Sequence, residues 1–190
     1  MRYRFIGAIG TGLICAVVLF SSQFFLTRPA AAEVSMTTGT IQIPQSVQAE
    51  HQEIHATLVE ATKAPGDVGI AARELASVLH PHFVREEQIA LPPLGLLAPL
   101  LAGAELPDDA VREALAMTDA LRAELPQMLA EHKAIHAAVE KLRLAARAGQ
   151  SARYEHLAEQ LALHARTEEE VFYPAAVLVG DILRVRFPKD

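Results

Sequence analysis

Imidazoles and carboxylates recur in this chain one helical turn apart, and they do so twice. Residues 49–60 read AEHQEIHATLVE and residues 82–92 read HFVREEQIALP; residues 130–141 answer with AEHKAIHAAVEK and residues 164–174 with HARTEEEVFYP. The alignment sets His51 against His132, His55 against His136, His82 against His164, Glu86 against Glu168, Glu87 against Glu169 and Pro92 against Pro174. A duplication that carries its polar residues along with its apolar ones argues for a purpose common to both halves. Residues four apart on a helix share a face, so His132 and His136 can address one ion, as can His82 with Glu86 and His164 with Glu168. Neutral imidazole supplies a directional nitrogen ligand, and a carboxylate supplies the negative charge that offsets a buried cation. A merely solvated polar face leaves the repetition unexplained, and in the interior it would strand unpaired acids among Ala, Leu, Val and Ile.

Helices are the elements that must position these groups. From Pro44 onward apolar residues recur at three and four positions while Val, Ile and Thr are sparse, the helical rather than the strand pattern. The spacing predicts four main helices: residues 45–63, ended by Pro65-Gly66; residues 67–90, with Asp67 as N-cap and Pro92-Pro93 as terminator; residues 108–148, with Pro126 inside and Gly149 as C-cap; and residues 151–173, after which Pro174 interrupts a shorter tail helix. Short connections make consecutive helices antiparallel. The reading is therefore an all-α, up-and-down four-helix bundle with a short C-terminal extra helix. His51 and His82 stand at nearly equal distances from the first turn, so the ligand layers should meet near mid-bundle. The apolar stretch 91–106 has too much surface for an exposed loop and should cap the bundle or meet a partner.

The opening segment differs in kind. Arg2 and Arg4 precede an apolar run over residues 5–26, followed by Arg28 and Pro29-Ala30-Ala31-Ala32. This describes a secretory signal cleaved after Ala32 or, since about 20 apolar residues cross a bilayer, an N-terminal membrane anchor. The domain organisation is then residues 1–32 as signal or anchor, 33–43 as tether and 44–190 as the bundle, exported to a periplasmic or extracellular location. The single cysteine, Cys15, lies in the apolar run, so the bundle has neither a disulfide framework nor a thiolate metal site. Without residues 1–32 the chain keeps 14 basic residues against 23 acidic ones. That balance disfavours nucleic acid and leaves the N-terminal segment as the only membrane contact.

At His51, His82-x-x-x-Glu86, His132-x-x-x-His136 and His164 with a following carboxylate, the chain resembles the hemerythrin-like family, the HHE cation-binding domains. The resemblance implies two non-haem iron ions, with manganese or zinc less favoured, held inside the bundle by His51, His82, Glu86, His132, His136, His164 and Glu168. Oxygen-carrying hemerythrins have the last carboxylate five residues after its histidine, where this chain has Glu169; the internal repeat favours Glu168. A second departure is His55, where those carriers resemble Phe. Two six-coordinate ions offer about 12 positions, and five histidines, two bridging carboxylates and a bridging oxygen fill all but about one. His55 either closes that position by binding or donates a hydrogen bond beside it.

The resemblance implies binding of dioxygen or a related small oxidant rather than turnover. Redox catalysis on peroxide, nitric oxide or ferrous iron, with His55 or Tyr173 as proton donor, is the alternative, and non-redox metal buffering is the third. Three expectations follow from the ligand set. Replacing Glu86 or Glu168 should lose metal, replacing Glu87 should not, and affinity should fall as pH drops towards and below about 6.5.

Overall fold

The computed structural model of the protein describes residues 41–188, so the signal or anchor at residues 1–32 and most of the tether lie outside the described residues. Among the described residues every regular element is helical: α1 (Gln45–Thr62), α2 (Gly66–Ile89), α3 (Leu97–Leu101), α4 (Asp108–Ala148), α5 (Ala152–Thr167) and α6 (Tyr173–Arg186). A 3-10 turn, Pro92–Leu96, precedes α3, and a π turn, Glu168–Phe172, joins α5 to α6. No helix among them is long and apolar enough to cross a membrane. The long helices form a ring, with α1 against α2 and α5, α2 against α4, and α4 against α5.

Each helix buries one stripe. Along α1 it is Val47, His51, Ile54, Leu58 and Ala61, alternating steps of four and three; along α4 it includes Met128, His132, Ile135, Val139 and Leu142. A histidine thus occupies a core position in an otherwise apolar row. Proline sits at the N-cap of α1, α2 and α4, at Pro44, Pro65 and Pro107. There its fixed φ suits the entry to a helix and its missing N–H costs no intrahelical bond. Asp67 lies in the first turn of α2 rather than capping it, and makes no cap hydrogen bond; its charge still complements the helix N-terminus. Gly149 caps α4 as expected. The reversal to α5 is closed by Ser151 N–H to Ala146 O at 2.8 Å and Gln150 N–H to Arg147 O at 3.1 Å, with Gln150 in the left-handed region at φ 53°.

The fourth helix departs from the sequence expectation, because Pro174 does not interrupt it. It continues through the π turn into α6, where Pro174 occupies the first turn. The reason lies in the preceding backbone, where the Tyr173 N–H reaches the Glu168 carbonyl five residues back. The widened turn accommodates the proline ring that an α-turn would exclude. The first half contains the same feature, since Leu91 N–H donates to Glu86 O at 3.0 Å. There two consecutive prolines, Pro92 and Pro93, remove two donors. The chain leaves α2 instead of continuing.

Three apolar clusters stack along the bundle. One, with Ile54, Leu75, Leu79, Phe83, Ile135 and Leu161, fills the part of the ring near the first and last helix turns. A second contains Val47, Leu91, Leu94, Leu121, Met128 and Tyr173. The third joins Leu96 and Leu106 to Val111, Leu115, Val179 and Leu183. The stretch 91–106 therefore caps the bundle, with Leu91, Leu94, Leu96 and Leu106 buried. Of its leucines, Leu97 and Leu101 are exposed, Leu101 at 91%.

The contact of α4 with α6 depends on a glycine. A Cβ at Gly180 would lie 2.3 Å from Thr118 Oγ1 and 2.8 Å from Thr118 Cβ, and Thr118 is itself buried with its hydroxyl donating to Leu115 O. Gly180→Ala is expected to destabilise the protein by about 1–3 kcal/mol despite the higher helix propensity of alanine. Thermal unfolding would read this, and an unchanged or raised midpoint would contradict the close approach.

Candidate metal centre

Between the first two clusters, six polar side chains are buried together: His51, His82, Glu86, His132, His164 and Glu168, with Glu86 fully inaccessible. They come from four different long helices or the π turn. Their potential ligand atoms form two groups, each with members within 4.8 Å of one another: His51, His164, Glu86 and Glu168 in one, His82, His132, Glu86 and Glu168 in the other. Both carboxylates are shared, and each sends one oxygen to each group. Glu86 Oε1 lies 3.2 Å from His82 Nε2 and Oε2 lies 3.9 Å from His51 Nε2. Glu168 Oε1 lies 2.8 Å from His164 Nε2 and Oε2 lies 3.5 Å from His132 Nε2.

The outward nitrogens are as ordered as the inward ones. His51 Nδ1 is 3.2 Å from Glu87, His82 Nδ1 2.8 Å from Glu131, His132 Nδ1 2.8 Å from Glu169, and His164 Nδ1 3.2 Å from Glu50. Each imidazole thus faces a carboxylate on its Nδ1 side, with a hydrogen bond for His51, His82 and His132 and proximity alone for His164, and presents Nε2 to the interior, the arrangement that fixes a metal-binding tautomer. The four pairs obey the repeat, for Glu50 corresponds to Glu131 and Glu87 to Glu169. Glu87 and Glu169 are thereby placed as supports of His51 and His132, and Glu168 is the fourth-helix carboxylate in both groups. Because Glu87 holds His51, its replacement is expected to weaken metal binding rather than leave it unaffected.

Two sequence-selected histidines stand outside both groups. The His136 ring centroid is 6.5 Å from that of His132, one turn further along α4, and His136 is half-buried. His55 is exposed and lies 6.2 Å, centroid to centroid, from the exposed His80. Conversely, sequence reasoning assigned no role to Glu50 and Glu131, although each immediately precedes a repeated histidine and repeats with it. Tyr173, named from the sequence as a proton donor for the redox alternative, is completely buried with its hydroxyl against Glu86 Oε1, 3.2 Å from His132 Nε2 and 3.4 Å from His82 Nε2.

Without a cation the cluster leans on protons. Burial disfavours charge on the imidazoles, yet hydrogen bonds to Glu86 and Glu131 lift His82 from 6.5 to about 9. Against the same burial penalty Glu168 and Glu169 raise His132, and Glu168 raises His164. Burial and the adjacent Glu168 charge push Glu86 up. Glu168, although burial opposes its charge, is held well below the usual carboxylate range by the adjacent imidazoles of His132, His164 and His51. Burial and the two carboxylates push the Tyr173 phenol far up.

The donor set fits metal ions better than it fits protons. Glu86 Oε2 and Glu168 Oε1, both facing the His51–His164 group, are buried without a hydrogen-bond partner. His164 Nε2 is 2.8 Å from Glu168 Oε1, but no proton is aimed along that line. Two close donors that do not hydrogen-bond are what two ligands of one ion look like, and orphaned carboxylate oxygens in an apolar interior are costly without a cation. Four imidazoles and two carboxylates, with no thiolate, form a nitrogen and oxygen set suited to iron, manganese or zinc.

A family model, the hemerythrin HHE cation-binding domain, matches residues 43–176. The chain belongs to the hemerythrin HHE family. Neither a curated protein nor a solved structure matches it. The family match spans every member of both ligand groups and all four supporting carboxylates, and it stops just after the second widened turn. This hemerythrin-like chain is thus an all-helical bundle whose buried His and Glu cluster can bind metal.

The supporting carboxylates give a testable asymmetry of scale. Glu131→Gln keeps the shape at His82 and removes the charge on its Nδ1 side. It is expected to weaken metal binding by roughly 10- to 100-fold without unfolding the chain. Competition against a chelator of known affinity would measure this, and an unchanged affinity would reduce the Glu131 contact to surface decoration.

Proposed function

We propose that this is a non-haem diiron protein that binds dioxygen or a related small oxidant reversibly, and that it does so outside the cytoplasm, its bundle in the up-and-down arrangement. The reading is carried by one observation, two buried groups of two imidazoles that share the same two carboxylates. Such sharing sets two ions side by side, and iron in that position supplies the electrons for reversible oxygen binding. The residues of the chain provide the rest. Glu86 and Glu168 neutralise charge and hold the pair together, and Glu50, Glu87, Glu131 and Glu169 fix the imidazoles.

Phe83 stacks on His51 at 4.1 Å and meets His164 edge-on at 5.6 Å, so the first group has an apolar wall that keeps protons and water away. On the outer side of His51 and Phe83, which border it, lies an open cleft of about 350 Å³ also lined by Gln48, Gln52, His55, His80 and Glu87. It provides an approach for a small molecule, and on this reading His55 serves at the entrance rather than as a ligand. Export rests on the apolar N-terminal run and the small residues that follow it.

The test uses the full chain loaded anaerobically with Fe(II). Two irons per chain and a visible charge-transfer band that oxygen creates and its removal reverses are expected. Irreversible oxidation would replace oxygen binding with redox turnover, and absence of bound iron would end the reading.

A further inference from the structure

The repeat relates every ligand and every supporting carboxylate of the two groups, but not the residue at the widened turn. Opposite the widened turn after Glu168 the chain has Tyr173, and opposite the widened turn after Glu86 it has Leu91. The difference puts a fully buried oxygen donor in one half and none at the corresponding position of the other. Tyr173 does more than fill the core. Its hydroxyl touches Glu86 Oε1 and lies 3.2 Å and 3.4 Å from the inward nitrogens of His132 and His82. His82 Nε2 is in turn 3.2 Å from Glu86 Oε1. With metal–ligand bonds of about 2.0–2.2 Å, neighbouring donors on one ion stand roughly 3 Å apart. The phenol oxygen therefore keeps the spacing of a ligand from the two imidazole nitrogens of its group, and its hydrogen bond to Glu86 Oε1 holds it beside the carboxylate they share. The ring is held there by stacking on His132, at 5.6 Å between centroids and 26° between planes.

We propose, resting on the metal-binding reading above, that Tyr173 is a protein ligand of the ion held by His82 and His132, so that the two ion positions are chemically unequal. On coordination the phenol O–H bond breaks, the proton leaves to solvent, and the oxygen lone pair makes the bond to the metal; no electron is transferred. The coordination count follows. With His136 outside both groups, four imidazoles, two shared carboxylates and a bridging oxygen leave about one position on each ion. Tyr173 takes the one on the His82–His132 ion. The vacancy then belongs to the His51–His164 ion, the one behind Phe83 and the cleft bearing His55. This is also the half in which Glu86 Oε2 and Glu168 Oε1 lack hydrogen-bond partners, whereas Glu86 Oε1 in the other half has the phenol.

Phenolate bound to ferric iron absorbs in the visible and, excited there, shows ring vibrations in the resonance Raman spectrum that other ligands do not give. The experiment compares the ferric full chain with Tyr173→Phe and Tyr154→Phe variants, with iron content measured on each. Two irons with phenolate vibrations in the parent and in Tyr154→Phe, lost in Tyr173→Phe while iron is retained, is the expected result. Two irons without phenolate vibrations in the parent would overturn the Tyr173 assignment and leave the metal reading intact. No bound iron in the parent would overturn both. Should Tyr173→Phe fail to fold, the parent spectrum and its persistence in Tyr154→Phe decide the matter, since loss of the vibrations in Tyr154→Phe would also overturn the assignment.

Discussion

If the centre holds the two ions proposed above, Glu168→Ala is expected to cost it both, while His164→Ala costs it only one. The contrast comes from how the oxygens are divided. Glu168 Oε1 belongs with His164 and His51, and Oε2 belongs with His132, at 2.8, 3.5 and 3.5 Å; His164 contributes to a single group. Glu86 is divided in the same way and Glu86→Ala should behave like Glu168→Ala. Loss of a shared carboxylate also removes a negative charge that each ion needs in an apolar interior. The affinity of each ion should fall by more than about 100-fold, the upper end of what loss of a supporting carboxylate produces. Metal content per chain after gel filtration reads the result directly, with Glu168→Gln as the variant that preserves side-chain volume. Retention of one ion by Glu168→Ala would show that this carboxylate serves a single position, and the two-ion arrangement would have to be redrawn.

The helices and most of the centre were legible because both rest on periodicity. His51 and His132 fall within apolar rows spaced by three and four, and His82 with Glu86 and His164 with Glu168 obey the one-turn rule. Sharing a face is weaker than reaching a common point, however. His132 and His136 are separated by a full turn of about 5.4 Å along the axis. Only one of them is level with the carboxylates, which no spacing rule could reveal. Glu50 and Glu131 were hidden for a different reason. Each sits beside its own histidine in sequence but supports a histidine on another helix, Glu50 that of α5 and Glu131 that of α2. Such contacts exist only once the ring of helices has closed. The signal was the repeat itself, which preserves an acid before both histidines. Pro174 misled because a proline read alone is a helix breaker. Its meaning changed with the widened turn before it, which rotates Tyr173 inward onto Glu86 and lets the helix run on.

Metal affinity is expected to climb steeply as pH rises from about 6.5 to about 9, a window higher than free histidine would give. In the metal-free protein, hydrogen bonds to Glu86 and Glu131 outweigh burial and hold the His82 proton up to about 9, and carboxylate partners likewise raise His132 and His164. A metal must displace those protons, so binding releases them, and affinity falls about tenfold per pH unit for each proton still held. The sign for the metal-free fold is the opposite. A histidine whose folded pKa lies above its unfolded value stabilises the fold fully below the unfolded value of 6.5, and that contribution disappears as pH rises through about 9. Thermal unfolding of the metal-free chain should therefore occur at lower temperature at pH 9 than at pH 6.5, while the benefit of added metal grows over the same interval. Chelator competition and paired melting curves across that range test both halves together. An affinity indifferent to pH between 6.5 and 9 would mean that the imidazoles are already neutral and the shared carboxylates already ionised before metal arrives.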